Sequence, residues 1–180
     1  MHSNDTTPAA VPVAQPMYIA VLTISDSRTV AEDRSGDLLV QRLGSMGHQL
    51  AARALVNDDR YAIRAQISHW IADSAINAII TTGGTGLTGR DGTPEAIAPL
   101  LDKTIDGFGE LFRVISYNEI GASSLQSRAL AGVANNTYVF CLPGSRSACA
   151  TAWDRLLAPQ LDHRTEPCNL VKLMPRLRER

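Results

Sequence analysis

The sequence predicts an α/β domain in which helices cover both faces of a mostly parallel sheet. Short apolar runs with the length of buried strands alternate with amphipathic helical stretches, which is the pattern of parallel strand pairing. A length of 180 residues suits one domain with a substantial core. A hydrophobic content of 44% and a charged content of 19% are typical of an ordinary globular chain.

The first part of the domain is predicted as strand, helix and strand. The apolar run MYIAVLTIS predicts a buried strand that starts at Met17. A helix is expected over residues 33–47, because Leu39 and Leu43 recur on one helical face. The segment HQLAARALV, residues 48–56, alternates in polarity and predicts the second strand.

The next predicted elements are a second amphipathic helix and a third strand. A helix is expected over residues 60–73, where Ile63, Ile67 and Trp70 form an apolar stripe. The stripe predicts that Trp70 lies in the core. The apolar run INAIITT, residues 76–82, then predicts another buried strand.

The last part of the chain is predicted to be helical, with one more strand. Residues 94–134 are expected to be mainly helical, with breaks at four glycines, Gly107, Gly109, Gly121 and Gly132. The run NTYVFCLPG, residues 136–144, predicts the fourth strand, and a helix is expected from about Ser145.

Composition argues against several classes of protein. A formal net charge of -1 gives no electrostatic reason to expect nucleic acid, and no apolar run reaches the ~20 residues of a membrane helix. The three cysteines lack C-x-x-C spacing, so neither a disulfide framework nor a zinc site is predicted, and a cytoplasmic location is expected. We expect one domain over residues 17–175, between a flexible N-terminal extension, residues 1–16, and a basic tail, residues 176–180.

Unusual segments follow three of the predicted strands. Ligands of open parallel sheets bind outside the carboxyl ends of the strands, so these segments are the places to look for a site. The first is SDSRTVAEDRSGD, the second is the glycine-rich stretch from Gly83 to Gly92, and the third is PGSRSA.

The glycine-rich stretch has the layout of a phosphate-binding loop. Glycines allow positive φ and a close backbone approach, so that consecutive amides can point into one concavity. Thr93 is a good N-cap for a following helix, whose positive end would then lie beside the loop. The spacing matches neither of the usual nucleotide motifs, and an ordinary tight connection is the alternative.

Asp91 is an unexpected residue in an anion-binding loop. A carboxylate repels phosphates at short range unless a cation lies between them, and Mg²⁺ binds both groups. Asp91 therefore predicts a metal-nucleotide site, with capping of the turn or pairing with Arg90 as the alternative. Asp58 and Asp59 follow the second strand, where their simplest use is to begin the next helix.

Five motifs occur in a fixed order over about 65 residues: TTGGTG, RDGTPEA, GFGELFR, LQSRALAG and PGS. In this arrangement the chain resembles the MogA/MoaB family of molybdenum cofactor biosynthesis, from AVLTISDSR to its end. The segments NDDRYAIRAQI, ANNTYVF and APQLDHRTEPCN resemble the MoaB branch in particular.

This resemblance implies a three-layer α/β/α domain and a molybdopterin adenylyltransferase. Such an enzyme converts ATP and molybdopterin into adenylyl-molybdopterin and pyrophosphate with the help of Mg²⁺, and a separate enzyme then inserts molybdate. The pterin dithiolene holds the molybdenum, so no transition-metal site in the protein is expected. Family members form homotrimers, or hexamers made of two trimers.

The resemblance also assigns roles to residues. Asp91 and Asp58 would be the catalytic carboxylates, with Asp91 tentatively a ligand of Mg²⁺. The nucleotide and phosphate region would contain Ser25, Asp26, Gly83, Gly84, Thr85 and Gly86. The pterin side would contain Ser127, Arg128, Pro143, Gly144 and Ser145.

The main alternative is a non-catalytic molybdopterin-binding or assembly protein with the same fold, because the MoaB branch includes members without transferase activity. A nucleotide-binding domain of another pathway would leave the later motifs unexplained. Two positions depart from the family pattern, since Arg146 and Asn57 stand where prolines are common.

Overall fold

A six-stranded sheet forms the centre of the computed structural model, which describes residues 15–179. The strands are β1 (Tyr18–Ile24), β2 (Gln49–Val56), β3 (Ala78–Thr82), β4 (Lys103–Thr104), β5 (Leu130–Ala134) and β6 (Thr137–Leu142). Their order across the sheet is β2-β1-β3-β6-β5-β4. The pairs β1–β2, β1–β3 and β3–β6 are parallel, whereas β5–β6 and β4–β5 are antiparallel.

Helices connect these strands. They are α1 (Arg34–Ser45), α2 (Arg60–Ala72), α3 (Thr93–Ile97), α4 (Asp106–Ile120), α5 (Arg146–Ala152), α6 (Ala158–Gln160) and α7 (Leu170–Leu173). A π-helical turn, Trp153–Leu157, joins α5 to α6. Asp33 caps α1 by accepting from the amide of Gly36, and Asp59 caps α2 by accepting from the amides of Tyr61 and Ala62.

Buried side chains lie on both faces of the sheet. In β1, Ile19 and Val21 point into the cluster that contains α1, α4 and α5 residues. Ala20 and Leu22 point into the other cluster, with residues of α2 and α3. Trp70 is only 5% exposed in that second cluster, as its helical stripe predicts. The three-layer α/β/α arrangement with a mostly parallel sheet is therefore confirmed.

Helices fill most of residues 94–134, as predicted, but the segment also contains two strands that the prediction missed. Strands β4 and β5 lie there, and β5 forms a hairpin with β6 through Asn135 and Asn136, which have φ values of 45° and 68°. Asparagine tolerates this left-handed conformation, which a two-residue hairpin turn requires. The short LAGVA run of β5 has little periodicity of its own, and its register comes from the neighbouring strand.

Three of the four expected helix breaks are wrong, and one of these three glycines, Gly132, lies inside β5. Gly107 and Gly109 lie inside α4, whereas Gly121 ends that helix with a φ of +61°. A β carbon on Gly109 would lie 2.6 Å from the carbonyl oxygen of Ala129, so the glycine permits close packing of α4 beside β5. A glycine needed for close packing cannot be told from a glycine that ends a helix by sequence alone.

The ends of the chain are only partly described. The predicted flexible extension, residues 1–16, lies outside the described residues except for its last two. Towards the other end, a 3₁₀ turn spans Met174–Arg176 and Leu177 packs against the core. Within residues 15–179, no helix combines the length and the apolar character needed to cross a bilayer.

Candidate functional site

The loops that follow β3 and β6 meet at the carboxyl edge of the sheet. The amide of Gly83 donates to the carbonyl oxygen of Leu142 across 3.1 Å. A β carbon on Gly144 would lie 3.2 Å from the α carbon of Gly83. The parallel pairing of β3 with β6 therefore brings together the glycine loop and the PGS loop, which are distant in the sequence.

The glycine loop uses its glycines where the backbone leaves the strand. Gly83 and Gly84 have φ values of +107° and +64°. A β carbon on Gly83 would lie 2.1 Å from the carbonyl oxygen of Ile24, and one on Gly84 would lie 2.2 Å from Oγ1 of Thr93. Neither position has space for a side chain, so the loop runs against β1 and α3.

The start of α3 differs from the prediction. Thr93 is the first residue of the helix rather than its N-cap, and its amide donates to the carbonyl oxygen of Gly84. The Thr93 side chain is fully buried, and its Oγ1 has no hydrogen-bond partner among the described residues. Because α3 has only five residues, its dipole contributes little to anion binding.

Asp91 closes a turn within the glycine loop. Its Oδ2 accepts from the amide of Thr88 at 2.8 Å and from the Thr88 hydroxyl at 2.6 Å. These bonds, led by the one from the hydroxyl, lower the pKa of Asp91. The residue therefore caps a turn, but it does not pair with Arg90, whose guanidinium binds Asp26 at 2.8 and 3.0 Å. A turn-capping carboxylate of low pKa stays ionised and keeps free lone pairs for a cation.

Asp58 has the opposite electrostatic environment. Burial raises its pKa, and the negative charges of Asp91 and Asp26 raise it further. Its Oδ1 accepts from the amide of Gly92 at 3.3 Å, which ties the end of β2 to the glycine loop. The helix-capping alternative applies to Asp59 alone. Asp58 is therefore the carboxylate whose charge most needs a nearby cation.

The carboxylates of Asp58 and Asp91 are the side chains of the glycine-loop region that could hold a cation. A β carbon on Gly84 would lie 2.7 Å from Oδ2 of Asp58, and one on Gly86 would lie 2.5 Å from Oδ2 of Asp91. Both side chains therefore lie directly against the loop expected to hold phosphates. Among the described residues, no three His, Cys, Asp or Glu side chains form a metal-binding group. Two carboxylates would suit Mg²⁺ if phosphate oxygens and water completed its shell.

Ser25 and Asp26 shape the loop after β1 on the same side. Ser25 Oγ accepts from the amides of Ser27 and Arg28, which turns the chain at the end of the strand. Oδ1 of Asp26 accepts from the amide of Asp58, while the same carboxylate binds Arg90. These residues link the first loop to both carboxylate-bearing loops.

A groove of about 240 Å³ borders the glycine loop at Thr85 and Gly86, and neither Asp58 nor Asp91 lines it. It combines hydroxyl groups with the apolar side chains Phe112 and Ile120. Ser127 lies in this groove, and its buried Oγ has no partner among the described residues. The predicted site residues that line it are Thr85, Gly86, Ser127, Pro143 and Ser145. Such a mixture suits a flat ring system with polar edges.

Side chains that were not assigned to the site hold the PGS loop in place, although two of them, Ser35 and Arg28, lie in the unusual segment after β1. The carbonyl oxygen of Gly144 accepts from Ser35 Oγ at 2.9 Å and from Arg28 Nη1 at 3.3 Å. The carbonyl of Pro143 accepts from Thr82 Oγ1 at 2.9 Å, and Ser145 caps α5. The sequence contained only one indication of these contacts, which is that the donors lie near the ends of β1 and β3. Which loops touch depends on the order of the strands, and local sequence does not give that order.

The buried carboxylate of Asp33 fixes the start of α1, which carries Ser35. It is 1% exposed and accepts from Thr23 Oγ1 at 2.7 Å, Arg53 Nη2 at 2.8 Å and the amide of Gly36 at 2.9 Å. Burial raises the pKa of Asp33, but the bonds from Arg53, Thr23 and Gly36 outweigh it and lower the pKa overall. The start of α1 is therefore fixed by the buried Asp33 carboxylate and its partly buried partner Arg53.

Arg128 lies between the groove and the glycine loop. Its Nε donates to the carbonyl oxygen of Thr85 at 3.2 Å, and its Nη2 donates to the carbonyl oxygen of Asp91 at 2.8 Å. Its Nη1 forms an ion pair with Glu95. Contact of Arg128 with a pterin phosphate stays a prediction.

Comparisons with known proteins agree with this architecture. The sequence pattern of a family described as "Probable molybdopterin binding domain" matches residues 20–163. Molybdenum cofactor biosynthesis protein B of Escherichia coli K12 is 53% identical over 154 residues, which are 86% of this chain and 91% of the relative. The protein of the same name from Bacillus subtilis is 43% identical over 144 residues, or 79% and 85% of the two chains.

Solved structures give the same result. A crystal structure of a molybdenum cofactor biosynthesis protein B matches with a TM-score of 0.80 and 42% identity, over 82% of this chain and 92% of that one. The tungsten cofactor synthesizing protein MoaB from Pyrococcus furiosus matches with a TM-score of 0.72 and 34% identity, over 80% and 92%. The fold, the ordered loops and these matches show that the chain belongs to the MogA/MoaB family of molybdenum cofactor biosynthesis proteins.

Proposed function

We propose that this protein acts in molybdenum cofactor biosynthesis as a molybdopterin adenylyltransferase that uses Mg²⁺ and ATP. The observation that carries the proposal is the convergence of Asp58 and Asp91 on the glycine loop, which also borders the groove that Thr85 and Ser127 line. The groove would bind the pterin, and the carboxylate side would bind the nucleotide. The names of the relatives support the pathway, and the family description supports molybdopterin as the ligand.

The proposed reaction needs alignment and charge neutralisation more than a protein nucleophile. The terminal phosphate of molybdopterin attacks the α-phosphorus of ATP, the new P–O bond forms, and the bond to pyrophosphate breaks. A phosphate is already ionised near neutral pH, so no general base is required. The amide of Gly83 already donates to Leu142, so the glycine-loop amides that would hold the reactants in line belong to the residues after it, from Gly84 onward.

Bound Mg²⁺ would neutralise phosphate charge during this transfer. Asp58 and Asp91 would hold it, in agreement with the raised pKa of Asp58, which burial and the charge of Asp91 produce. The buried hydroxyl of Thr93, beside Gly84, is a further polar group without a protein partner among the described residues.

We also propose that the protein assembles as a homotrimer, or as a pair of trimers, and delivers its product to a molybdate-insertion enzyme. Helix α4 supports assembly because it exposes Leu111, Val114 and Tyr117 to 54%, 60% and 61%. Large apolar side chains at such spacing form a surface stripe suited to a protein partner.

The test is an adenylylation assay with purified protein, molybdopterin, ATP and Mg²⁺. We expect adenylyl-molybdopterin and pyrophosphate in equal amounts, and we expect product formation to stop when EDTA is added. Asp91→Asn and Asp58→Asn should each fold and bind molybdopterin but lose at least about 100-fold in kcat, as expected for loss of a transition-state charge contact.

The matched control is Asp59→Asn, one residue from Asp58, where the side chain only caps α2. This variant should retain activity within about threefold and lose only some stability. Activity of Asp91→Asn equal to that of the wild type would remove the proposed metal role.

A non-catalytic molybdopterin-binding protein is the second candidate. The observation that favours it is the turn around Asp91, where one carboxylate oxygen already accepts both donors of Thr88. Molybdopterin binding by the wild type without any adenylylated product in the same assay would select this candidate.

A further inference from the structure

Arg128 connects the start and the end of the glycine loop, which also meet where the amide of Thr93 donates to the carbonyl oxygen of Gly84. Its guanidinium donates to the carbonyl oxygen of Thr85, at the start of the loop, and to that of Asp91, near its end. Both acceptors are backbone carbonyl groups, so these bonds restrain the backbone of the loop. The side chain is 26% exposed and lies between the loop and β5.

The loop between these two carbonyls has few other attachments. Leu87 is 68% exposed, and Thr88, Gly89 and Arg90 are also exposed. The contacts of Thr88 with Asp91 lie within the loop itself. The bond between Arg90 and Asp26 lies in solvent, where an ion pair adds little stability. Two partly buried attachments lie nearer to Asp91: the amide of Gly92 donates to Asp58 at 3.3 Å, and Arg128 donates to Asp91 itself at 2.8 Å. Of these, Arg128 alone holds the Asp91 backbone directly.

The backbone of Arg128 is itself well fixed. Its neighbour Ala129 is 3% exposed, and the carbonyl oxygen of Ala129 accepts from Arg113 Nη1. Strand β5 begins two residues later and pairs Leu130 with Cys141 of β6. The guanidinium thus transmits the position of the sheet to the glycine loop.

We propose that Arg128 is a positioning residue that holds the glycine loop so that the Asp91 carboxylate faces Asp58. In this arrangement the guanidinium bridges two carbonyl oxygens and does not serve as an anion ligand for the substrate. The role in catalysis rests on the proposed adenylyltransferase function, whereas the structural role does not.

The chemistry of the side chain makes the proposal specific. A guanidinium is planar and carries donors in a fixed fork, so it can reach two acceptors at once. A lysine ammonium keeps the positive charge but has a single donor atom, which cannot bridge Thr85 and Asp91 in the same way. Arg128→Lys therefore separates the two roles: it preserves charge for an anion and removes the bridge.

The structural test is hydrogen–deuterium exchange of the full chain, followed in peptides that cover residues 84–92. For Arg128→Lys and Arg128→Gln we expect amide exchange in this segment to become about tenfold faster or more, which is the scale of losing one charge-assisted hydrogen bond. Exchange in α2 should not change, which would show that the variants remain folded.

Two controls isolate the bridge. Glu95→Gln removes the ion pair but leaves both carbonyl contacts, and exchange should stay within about threefold of the wild type. Arg64→Gln is the matched arginine control, because its guanidinium also binds two backbone carbonyls, those of Glu95 and Ala96, but these lie in α3. It should leave exchange within the 84–92 segment unchanged.

The functional test separates positioning from anion binding. We expect Arg128→Lys and Arg128→Gln to lower kcat about tenfold or more and to raise the Mg²⁺ concentration needed for half-maximal rate, with the KM for molybdopterin within about threefold. The double variant with Asp91→Asn should be no slower than Asp91→Asn alone, because Arg128 acts through Asp91.

Three outcomes would overturn the proposal. One is wild-type exchange in both Arg128 variants. Another is a raised molybdopterin KM with unchanged kcat in Arg128→Gln, and the third is full activity in Arg128→Lys. If the wild type forms no adenylylated product, the exchange experiment still decides the structural role, so failure of the proposed function would be distinguishable.

Discussion

At the scale of single residues, the site contains two carboxylates with different environments. Asp91 lies in a turn where hydrogen bonds, first that of the Thr88 hydroxyl, lower its pKa, whereas burial and nearby negative charge raise the pKa of Asp58. A cation between them would offset the unfavourable charge of Asp58 and leave the turn of Asp91 intact. The two aspartates therefore differ in role: Asp91 holds the shape of the turn, and Asp58 carries the charge that a cation would compensate.

Asp33 gives a prediction at this scale. Its folded pKa is lowered because bonds from Arg53, Thr23 and Gly36 outweigh the effect of burial. A lowered pKa stabilises the fold above the unfolded value of 3.8, and this contribution is lost as the pH falls through the folded value. We expect Asp33→Asn to lower the free energy of unfolding at pH 7 by roughly 2–4 kcal/mol. Urea denaturation at pH 7 and pH 3 should show that the difference from wild type shrinks at the lower pH.

Asp37→Asn is the matched control for this prediction. Asp37 binds the same Arg53 at 2.8 Å, but its side chain is 59% exposed. We expect less than about 1 kcal/mol from its replacement. Equal losses for the two variants would contradict the view that burial makes the Asp33 pair important.

The residues of the site were predictable to different degrees. Gly83, Gly84 and Asp91 stand in one short motif, so local sequence was enough to propose a loop with a charge inside it. Ser35 and Arg28 bind the PGS loop across 109 and 116 residues of sequence, and no local pattern encodes that distance. Their partner is a backbone carbonyl, which leaves no signal in residue type.

At the scale of elements, the strands and helices with strong hydrophobic periodicity were predicted correctly, whereas the short strand β5 was missed. The apolar strand β1 and the striped helix α2 were predicted within about two residues of their observed bounds. Of the β5–β6 hairpin, β6 was predicted but β5 was not, because its sequence LAGVA is short and contains Gly132. A β carbon on Gly132 would lie 2.5 Å from the carbonyl oxygen of Lys103, so that glycine serves strand contact and not a helix break.

A pair of glycines tests this view of elements. We expect Gly83→Ala to lower the free energy of unfolding by about 2–4 kcal/mol, because its β carbon would meet the carbonyl of Ile24 at 2.1 Å and its φ is +107°. Gly44 lies in helix α1, with nothing within 4 Å of its β-carbon position. Gly44→Ala should raise the free energy by about 0.5–1 kcal/mol. Thermal and urea unfolding of both variants measure the contrast, and equal signs would contradict it.

At the scale of the whole molecule, the alternation of strands and helices was enough to predict the layers and the parallel core. It was not enough for the order of the strands, in which β6 inserts between β3 and β5. The strand order depends on how the apolar faces of all the elements pack together, and this packing involves the whole chain. The parallel pattern predicted that the glycine loop and the PGS loop lie at the same edge of the sheet, but their direct contact follows from the pairing of β3 with β6.

Assembly is a property at this scale, and the exposed stripe on α4 gives a test. Val114→Asp should lower the molar mass measured by light scattering at equal concentration, because it places a charge in the proposed contact. Val30→Asp is the matched control, since Val30 is 65% exposed and Val114 is 60% exposed. Val30→Asp should keep the mass of the wild type. An unchanged mass for Val114→Asp would remove α4 from the contact.

The pairing of β3 with β6 also has a consequence for synthesis on the ribosome. Thr82 and Pro143, which bond beneath the site, are 61 residues apart in the chain. When β3 emerges, it can pair with β1, but its other edge stays open until β6 is translated. A nascent chain therefore presents an unpaired apolar strand edge for much of its synthesis, the kind of surface that chaperones shield. The site is among the last parts of the protein to form.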